Sequence, residues 1–208
     1  INSLYEEAIT SSQMEGASTS RRDAKKMLRE GRRPQTRSER MIRNNFLALE
    51  FVRGRLADKL TPEFICEVHR IVTEGTLDDP GDAGRLQREG EGRVRIYGTE
   101  NEEQPLHVPP SASELPERLE RLCSFVNGEG EYATQYVPPL VRALIVHFMM
   151  GYDHYFVDGN GRTARVIAQW VVLREGFFLM DFVPVSRLLH RAPAQYCLLY
   201  TSPSPRDR

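Results

Sequence analysis

A mainly α fold, a helical bundle carrying one small β-hairpin, is predicted from two observations. Apolar residues recur three and four apart through most of the 208 residues, and only one pair of short segments alternates as strands do. That length makes one domain the default. Asn2 to Glu15 reads as the first helix, with apolar positions spread over Leu4 to Met14, and the same period continues in Asp23 to Leu28, Met41 to Leu56 and Phe64 to Val72. The hairpin is expected at Arg93-Val94-Arg95-Ile96-Tyr97, paired with Leu106 to Val108 across the polar stretch Gly98 to Gln104, and Pro109-Pro110 marks its exit. Further helices are expected at Glu114 to Val126, stopped by Asn127-Gly128, and at Pro139 to Tyr152, with proline in the first turn. The run Leu140 to Met150 is apolar nearly all round, which predicts the central core helix. A last helix runs from about Gly161 to Glu175 and stops at Gly176.

Composition narrows the function classes. With 40% hydrophobic and 27% charged residues, fibrous and disordered readings are excluded. A net charge of -1 gives no global drive toward nucleic acid or an anionic membrane. No run of 18 apolar residues exists, so no membrane partner is expected. Cys66, Cys123 and Cys197 form no CxxC, which argues against a zinc ribbon or a disulfide framework and for a reducing, cytoplasmic setting. Because the chain starts at Ile1 inside a helical pattern, the natural N-terminus is expected to precede it. Cys197 to Asp207 matches, residue for residue, one reading frame of a transposon adapter used in sequencing libraries, so 197–208 is expected to be a scar and is left out of the fold reasoning.

Between Ser20 and Lys59 there are 13 Lys or Arg against 5 Asp or Glu, a local charge of +8. Only two aromatics, Phe46 and Phe51, fall among these charges, so a solvated helix face is favoured over a nucleic-acid patch.

The informative stretch is His154-Tyr-Phe-Val-Asp-Gly-Asn-Gly-Arg-Thr-Ala-Arg165. It reads as a loop entering a helix N-terminus. Gly159 and Gly161 allow a tight turn that aims backbone N–H groups at one point, and the helix dipole adds positive potential there, so Gly159-Asn160-Gly161 forms a prepared anion site. Arg162 and Arg165, three apart, supply guanidinium forks suited to phosphate. Asp158 places a hard carboxylate oxygen where Mg²⁺ could bridge it to phosphates. The His154 imidazole is a suitable general base for a hydroxyl attacking phosphorus, and Phe156 is a core anchor for the loop. A helix C-terminus raises a histidine pKa while burial lowers it, and the sequence leaves that balance open.

The pattern H-x-F-x-D-G-N-G-R-x-x-R fixes eight positions, so a chance match is on the order of one in ten billion per start site. It resembles the signature of the Fic family, H-P-F-x-[D/E]-G-N-G-R-x-x-R, with Tyr155 in place of the usual proline. Met41 to Leu49, Pro80-Gly-Asp-Ala-Gly-Arg85 and Val108-Pro-Pro110 extend the resemblance, so residues 17–196 are expected to form a Fic core with an N-terminal helical extension, truncated at its C-terminal end. The resemblance implies transfer of AMP from ATP, with Mg²⁺, to a Ser, Thr or Tyr hydroxyl of a target protein. His154 matches the base, Asp158 the metal ligand, Gly159, Asn160 and Gly161 the anion hole, and Arg162 and Arg165 the phosphate ligands. Arg93, Val94, Arg95, Ile96 and Tyr97 match a flap that registers the target by β-augmentation. Self-modification and a homodimer are further partnerships considered, and nucleic acid enters only through a C-terminal domain beyond this stretch.

Ser11-Ser-Gln-Met-Glu15-Gly16 resembles the inhibitory motif [S/T]-x-x-x-E-[G/N] of Fic proteins whose inhibitory helix precedes the core. It assigns residues 1–16 to that helix and pairs Glu15 with Arg165. Removal of AMP, transfer of another nucleotide or phosphate group as in Doc-like kinases, and a nucleotide-sensing DNA-binding regulator are the competing functions.

Overall fold

The first helix, α1 (Asn2–Gln13), leads into α2 (Arg21–Glu30), α3 (Arg37–Arg53) and α4 (Pro62–Thr73). Two short strands follow, β1 (Ile96–Tyr97) and β2 (Pro105–His107), then α5 (Leu115–Asn127), α6 (Pro139–Asp153), α7 (Asn160–Arg174) and α8 (Val185–Arg191). These come from a computed structural model that describes residues 2–97 and 105–191. The connecting stretch expected at Gly98 to Gln104 and the expected scar at 197–208 lie outside the described residues.

Local chemistry explains the helix starts. Ser20, Thr36 and Thr61 each sit in extended backbone and accept, through the side-chain oxygen, from the N–H of Asp23 (3.2 Å), Glu39 (3.1 Å) and Phe64 (3.1 Å). Each such cap satisfies a donor with no intrahelical acceptor and is worth about 1 kcal/mol. Pro62 and Pro139 open α4 and α6, where a missing N–H costs nothing.

The expected core helix is corrected. Within α6 only Ala143, Val146, Met150 and Asp153 are buried. Leu144 is 68% exposed, and Leu140, Val141, Ile145, Phe148 and Tyr152 also face outward. The centre is α7, which buries Asn160, Arg162 to Ile167 and Trp170 to Leu173 against α1, α3, α4 and α6. Apolarity states that a face is costly to hydrate, but not which neighbour covers it. Trp170 sits at the middle, its ring 5.1 Å from Phe64 and its indole N–H donating to the Arg55 carbonyl at 3.0 Å. Each large apolar side chain withdrawn from water here contributes roughly 1.5–3 kcal/mol.

The end of α1 is held by a second cluster: Ile9, Ala17, Ala24, Met27, Met41 and Ile42. Ser12 Oγ bonds to the Met41 carbonyl at 3.3 Å and Asn45 Nδ2 donates to the Ala8 carbonyl at 3.3 Å. From the other side, the Ser186 N–H donates to the buried Glu7 carboxylate at 2.9 Å, as does the Ser186 hydroxyl. α8 carries no strong signal in the sequence, and it docks on α1 through these bonds.

β1 and β2 pair antiparallel, with Ile96 opposite His107 and Tyr97 opposite Pro105. The first strand is shorter than the expected Arg93 to Tyr97, and its partner is shifted one residue from Leu106 to Val108. Among the described residues no helix is long and apolar enough to cross a membrane.

Candidate active site

His154 caps α6 in the left-handed region, at φ 49° and ψ 66°, and is the only described non-glycine residue with positive φ. Such a conformation costs an L-residue about 1–2 kcal/mol, so its surroundings must hold it. They do. The carbonyls of Tyr152, Asp153, His154, Tyr155 and Phe156 accept in turn from His107 Nε2 (2.7 Å), Arg93 Nη2 (2.6 Å), Arg93 Nη1 (2.9 Å), the Gln87 N–H (2.8 Å) and Asn160 Nδ2 (2.7 Å). Asn160 Nδ2 also lies 3.2 and 3.3 Å from the two ring nitrogens of His154, and Asn160 Oδ1 accepts from the Phe156 N–H at 2.9 Å. The Asn160 side chain therefore turns inward and fixes the loop.

Burial pushes the His154 pKa down to about 4, helped by the positive charge of Arg93 and opposed by Asp158 and Glu15. The balance left open by the sequence falls on the side of burial. The imidazole is neutral at pH 7 and can accept a proton.

Gly159 begins α7 at φ 81°, and a Cβ there would collide with Thr73 Cγ2. Thr163 is the first residue of α7 whose N–H reaches an i−4 carbonyl, that of Gly159, at 3.0 Å. The amides of residues 160–162 consequently lie at the positive start of the helix. A carboxylate sits against that start: a Cβ on Gly161 would collide with Glu15 Oε1 and lie 3.0 Å from Glu15 Cδ and 3.1 Å from Arg165 Nη1. Arg165 holds this carboxylate, with Nη2 2.6 Å from Glu15 Oε1, while Nε donates to Ser11 Oγ at 2.7 Å and Nη2 to the Ser11 carbonyl at 3.0 Å. The Arg165 side chain is 5% exposed and that of Glu15 31%. α1 ends at Gln13, earlier than expected, so Glu15 stands in the turn that follows, with Gly16 at φ 88° closing it.

Arg162 is placed differently from Arg165. It is almost fully buried, Nη1 donates to the Val72 carbonyl at 3.1 Å, and Nε is buried without a partner among the described residues. The expected pair of neighbouring phosphate-binding forks is thus one guanidinium tied to Glu15 and one bonded to the last turn of α4 through the Val72 carbonyl. Three apart on a helix fixes a shared face, not a shared rotamer. Asp158 is exposed; Oδ1 accepts from the Gly159 N–H at 2.6 Å and Oδ2 lies 3.8 Å from Arg37 Nη2.

His69 was not foreseen. Its Nδ1 accepts from the Gly84 N–H at 2.9 Å, which leaves the proton on Nε2 to donate to the Asp158 carbonyl at 2.8 Å. The ring stacks on Phe156 at 3.8 Å and 6°. One side chain thereby joins α4, the 80–85 turn and the loop. Its signal in the sequence is only a histidine on the apolar face of Ile65, Val68 and Val72. Phe156 is fully buried, the anchor it was expected to be.

Comparison with known proteins decides the family. A model described as Fic/DOC family matches residues 59–172, more than half of the chain. This chain belongs to the Fic/DOC family. It is 30% identical over 133 residues to "Protein adenylyltransferase Fic" of Drosophila willistoni, covering 63% of this chain and 24% of that protein. It is 31% identical over 120 residues to "Protein adenylyltransferase fic-1" of Caenorhabditis elegans, covering 58% and 20%. The chain thus spans about a quarter of the length of the curated relatives it matches. Among solved structures, a Fic family protein from Desulfovibrio desulfuricans G20 superposes with a TM-score of 0.73 at 22% identity, over 94% of this chain and 55% of that one. Residues 134–508 of Fic-1 from C. elegans give 0.65 at 25% identity, over 83% and 48%.

In this Fic chain, Arg93 departs from its expected place in a docking strand. It precedes β1, and its guanidinium is consumed by the carbonyls of Asp153, His154 and Pro110 and by Gln87 Oε1. Val94 and Arg95 likewise lie outside the ladder, which begins at Ile96 and Tyr97.

Proposed function

We propose that this chain carries the catalytic segment of a protein adenylyltransferase, held at low activity by its own first helix. The observation that carries the reading is the Glu15–Arg165 pair at 2.6 Å over Gly161, beside a neutral His154. The relatives' names, "protein adenylyltransferase", support the reaction class.

ATP with Mg²⁺ fits the residues present. The Gly161 cradle already accepts one anionic oxygen, that of Glu15, and Arg162 Nε is a buried donor lacking an acceptor among the described residues. Asp158 offers a single hard oxygen donor facing solvent, and Mg²⁺ commonly takes one or two carboxylates and fills its remaining positions with phosphate and water. When bound, ATP–Mg²⁺ supplies an electrophilic α-phosphorus and a pyrophosphate leaving group. The amides at the start of α7, with Arg162 and Arg165, would hold phosphate oxygens, and Asp158 the ion. His154 would take the proton of a Ser, Thr or Tyr hydroxyl as its oxygen bonds to the α-phosphorus and the bond to pyrophosphate breaks. Glu15 would place a negative charge where phosphate belongs and occupy the guanidinium that would bind it, so nucleotide binding and the resting position of the turn after α1 would exclude each other.

A second reading, removal of AMP from a modified protein, is favoured by one observation: the Glu15 carboxylate lies close enough to His154 to pull its pKa upward. Such a pair can orient a water. Incubation of Glu15→Gly protein with α-labelled ATP tests the first reading, and loss of label from a pre-modified target tests the second.

A further inference from the structure

Two side chains flanking His154 in sequence are bonded to each other. Tyr155 Oη donates to Asp153 Oδ2 at 2.6 Å, and Asp153 Oδ1 accepts from Arg118 Nε of α5 at 2.8 Å. Tyr155 is fully buried and Asp153 is 1% exposed. We propose that Tyr155, Asp153 and Arg118 form a positioning unit that holds His154 in its left-handed conformation and aims its imidazole at the anion cradle. This rests on His154 acting as the base of the reaction proposed above.

The geometry favours this over simple packing for three reasons. First, the tether runs from residue 153 to residue 155, so it spans His154 itself and restrains the backbone on both sides of the one described non-glycine residue with positive φ. A conformation of that kind persists only where the surroundings over-determine it. Second, the Asp153 carboxylate is satisfied at both oxygens, by a phenol and a guanidinium, which makes it a rigid post in a low-dielectric setting. Third, its own carbonyl and that of His154 are gripped by the single Arg93 guanidinium, so side chain and backbone of the same turn are fixed by separate partners. Burial and the Asp153 charge raise the Tyr155 pKa, so the phenol stays protonated and remains a donor. A proline at position 155, as in the signature this loop resembles, stiffens the backbone through its ring and has no hydroxyl to give. Here a hydrogen bond takes over that restraint.

The test uses Tyr155→Phe, which removes one oxygen, made in the Glu15→Gly chain. The positioning role predicts a fall in kcat for AMP incorporation of about tenfold, since small misplacements of a reacting group are costly, with KM for ATP held within about twofold. Hydrogen exchange over 153–161 should quicken about tenfold while exchange elsewhere stays unchanged. Arg118→Lys, which keeps the charge and loses the Nε geometry, should give a smaller change of the same kind. Unchanged kcat with unchanged exchange over 153–161 overturns the proposal, as does a loss of rate that merely tracks loss of folded protein. Should Glu15→Gly with Tyr155 intact incorporate no AMP, the adenylyl-transfer reading fails, and exchange over 153–161 decides the positioning role by itself.

Discussion

Arg165 and Glu15, 150 positions apart in sequence, meet at 2.6 Å, and the carboxylate they share a bond through lies where a side chain on Gly161 would have to be. On the proposed function, that one arginine would serve two mutually exclusive anions, the Glu15 carboxylate and a phosphate. Couplings between competing sites typically amount to about 1–3 kcal/mol, so Glu15→Gly should raise AMP incorporation roughly 5- to 150-fold. Initial rates with α-labelled ATP check this, and an unchanged rate counts against the brake.

Ser11 holds the same arginine from behind, accepting at 2.7 Å from Nε through its hydroxyl. Ser11→Ala leaves that buried donor unsatisfied, which costs about 1–3 kcal/mol. Urea unfolding should show the loss, and basal incorporation should rise less than in Glu15→Gly because the carboxylate remains.

Gly159→Ala should be more damaging than its one added methyl suggests. The backbone is at φ 81° and the new Cβ would strike Thr73 Cγ2. The left-handed penalty of about 1–2 kcal/mol adds to overpacking of about 1–3 kcal/mol. A denaturant midpoint close to that of the parent chain would contradict the close approach of α4 to the loop.

How the histidines titrate gives a prediction with a definite sign. Burial lowers the pKa of His69, His147 and His154 from 6.5 to about 4 in the folded chain. Above pH 6.5 both folded and unfolded forms are neutral, and between 6.5 and about 4 the unfolded chain binds protons that the folded one refuses. Stability is therefore flat above neutrality and falls as pH drops through that window. Thermal midpoints at pH 7.5 and 5.0 should differ in that direction. The rate of incorporation, limited by neutral His154, should stay level from about pH 6 to 8.

Seven of the helices and the loop were legible because they rest on local chemistry: 3.6-residue periodicity, a proline in the first turn of α6, glycine stops at Gly128 and Gly176, and a glycine turn before Asn160. What stayed hidden depends on partners far away in sequence. The apolar run of α6 resembles a core helix, yet burial depends on which neighbour arrives, and α7 occupies the centre. Arg93 sits in a strand-like alternation, but its guanidinium finds better acceptors in the carbonyls of Asp153 and His154 than solvent offers. His69 and Tyr155 look like ordinary buried aromatics until their ring nitrogen and hydroxyl are seen to reach Asp158 and Asp153. The Ser11–Glu15 motif was readable only by resemblance, since nothing in a helix-ending glutamate announces an arginine on α7.

The most direct measurement is the intact mass of Glu15→Gly protein after incubation with ATP and Mg²⁺, run in parallel with α-labelled and γ-labelled nucleotide. The account predicts an added AMP that carries the α label, no γ label, and no addition when His154→Ala is combined with it. Retention of the γ label, or a mass unchanged in the Glu15→Gly chain, would contradict it.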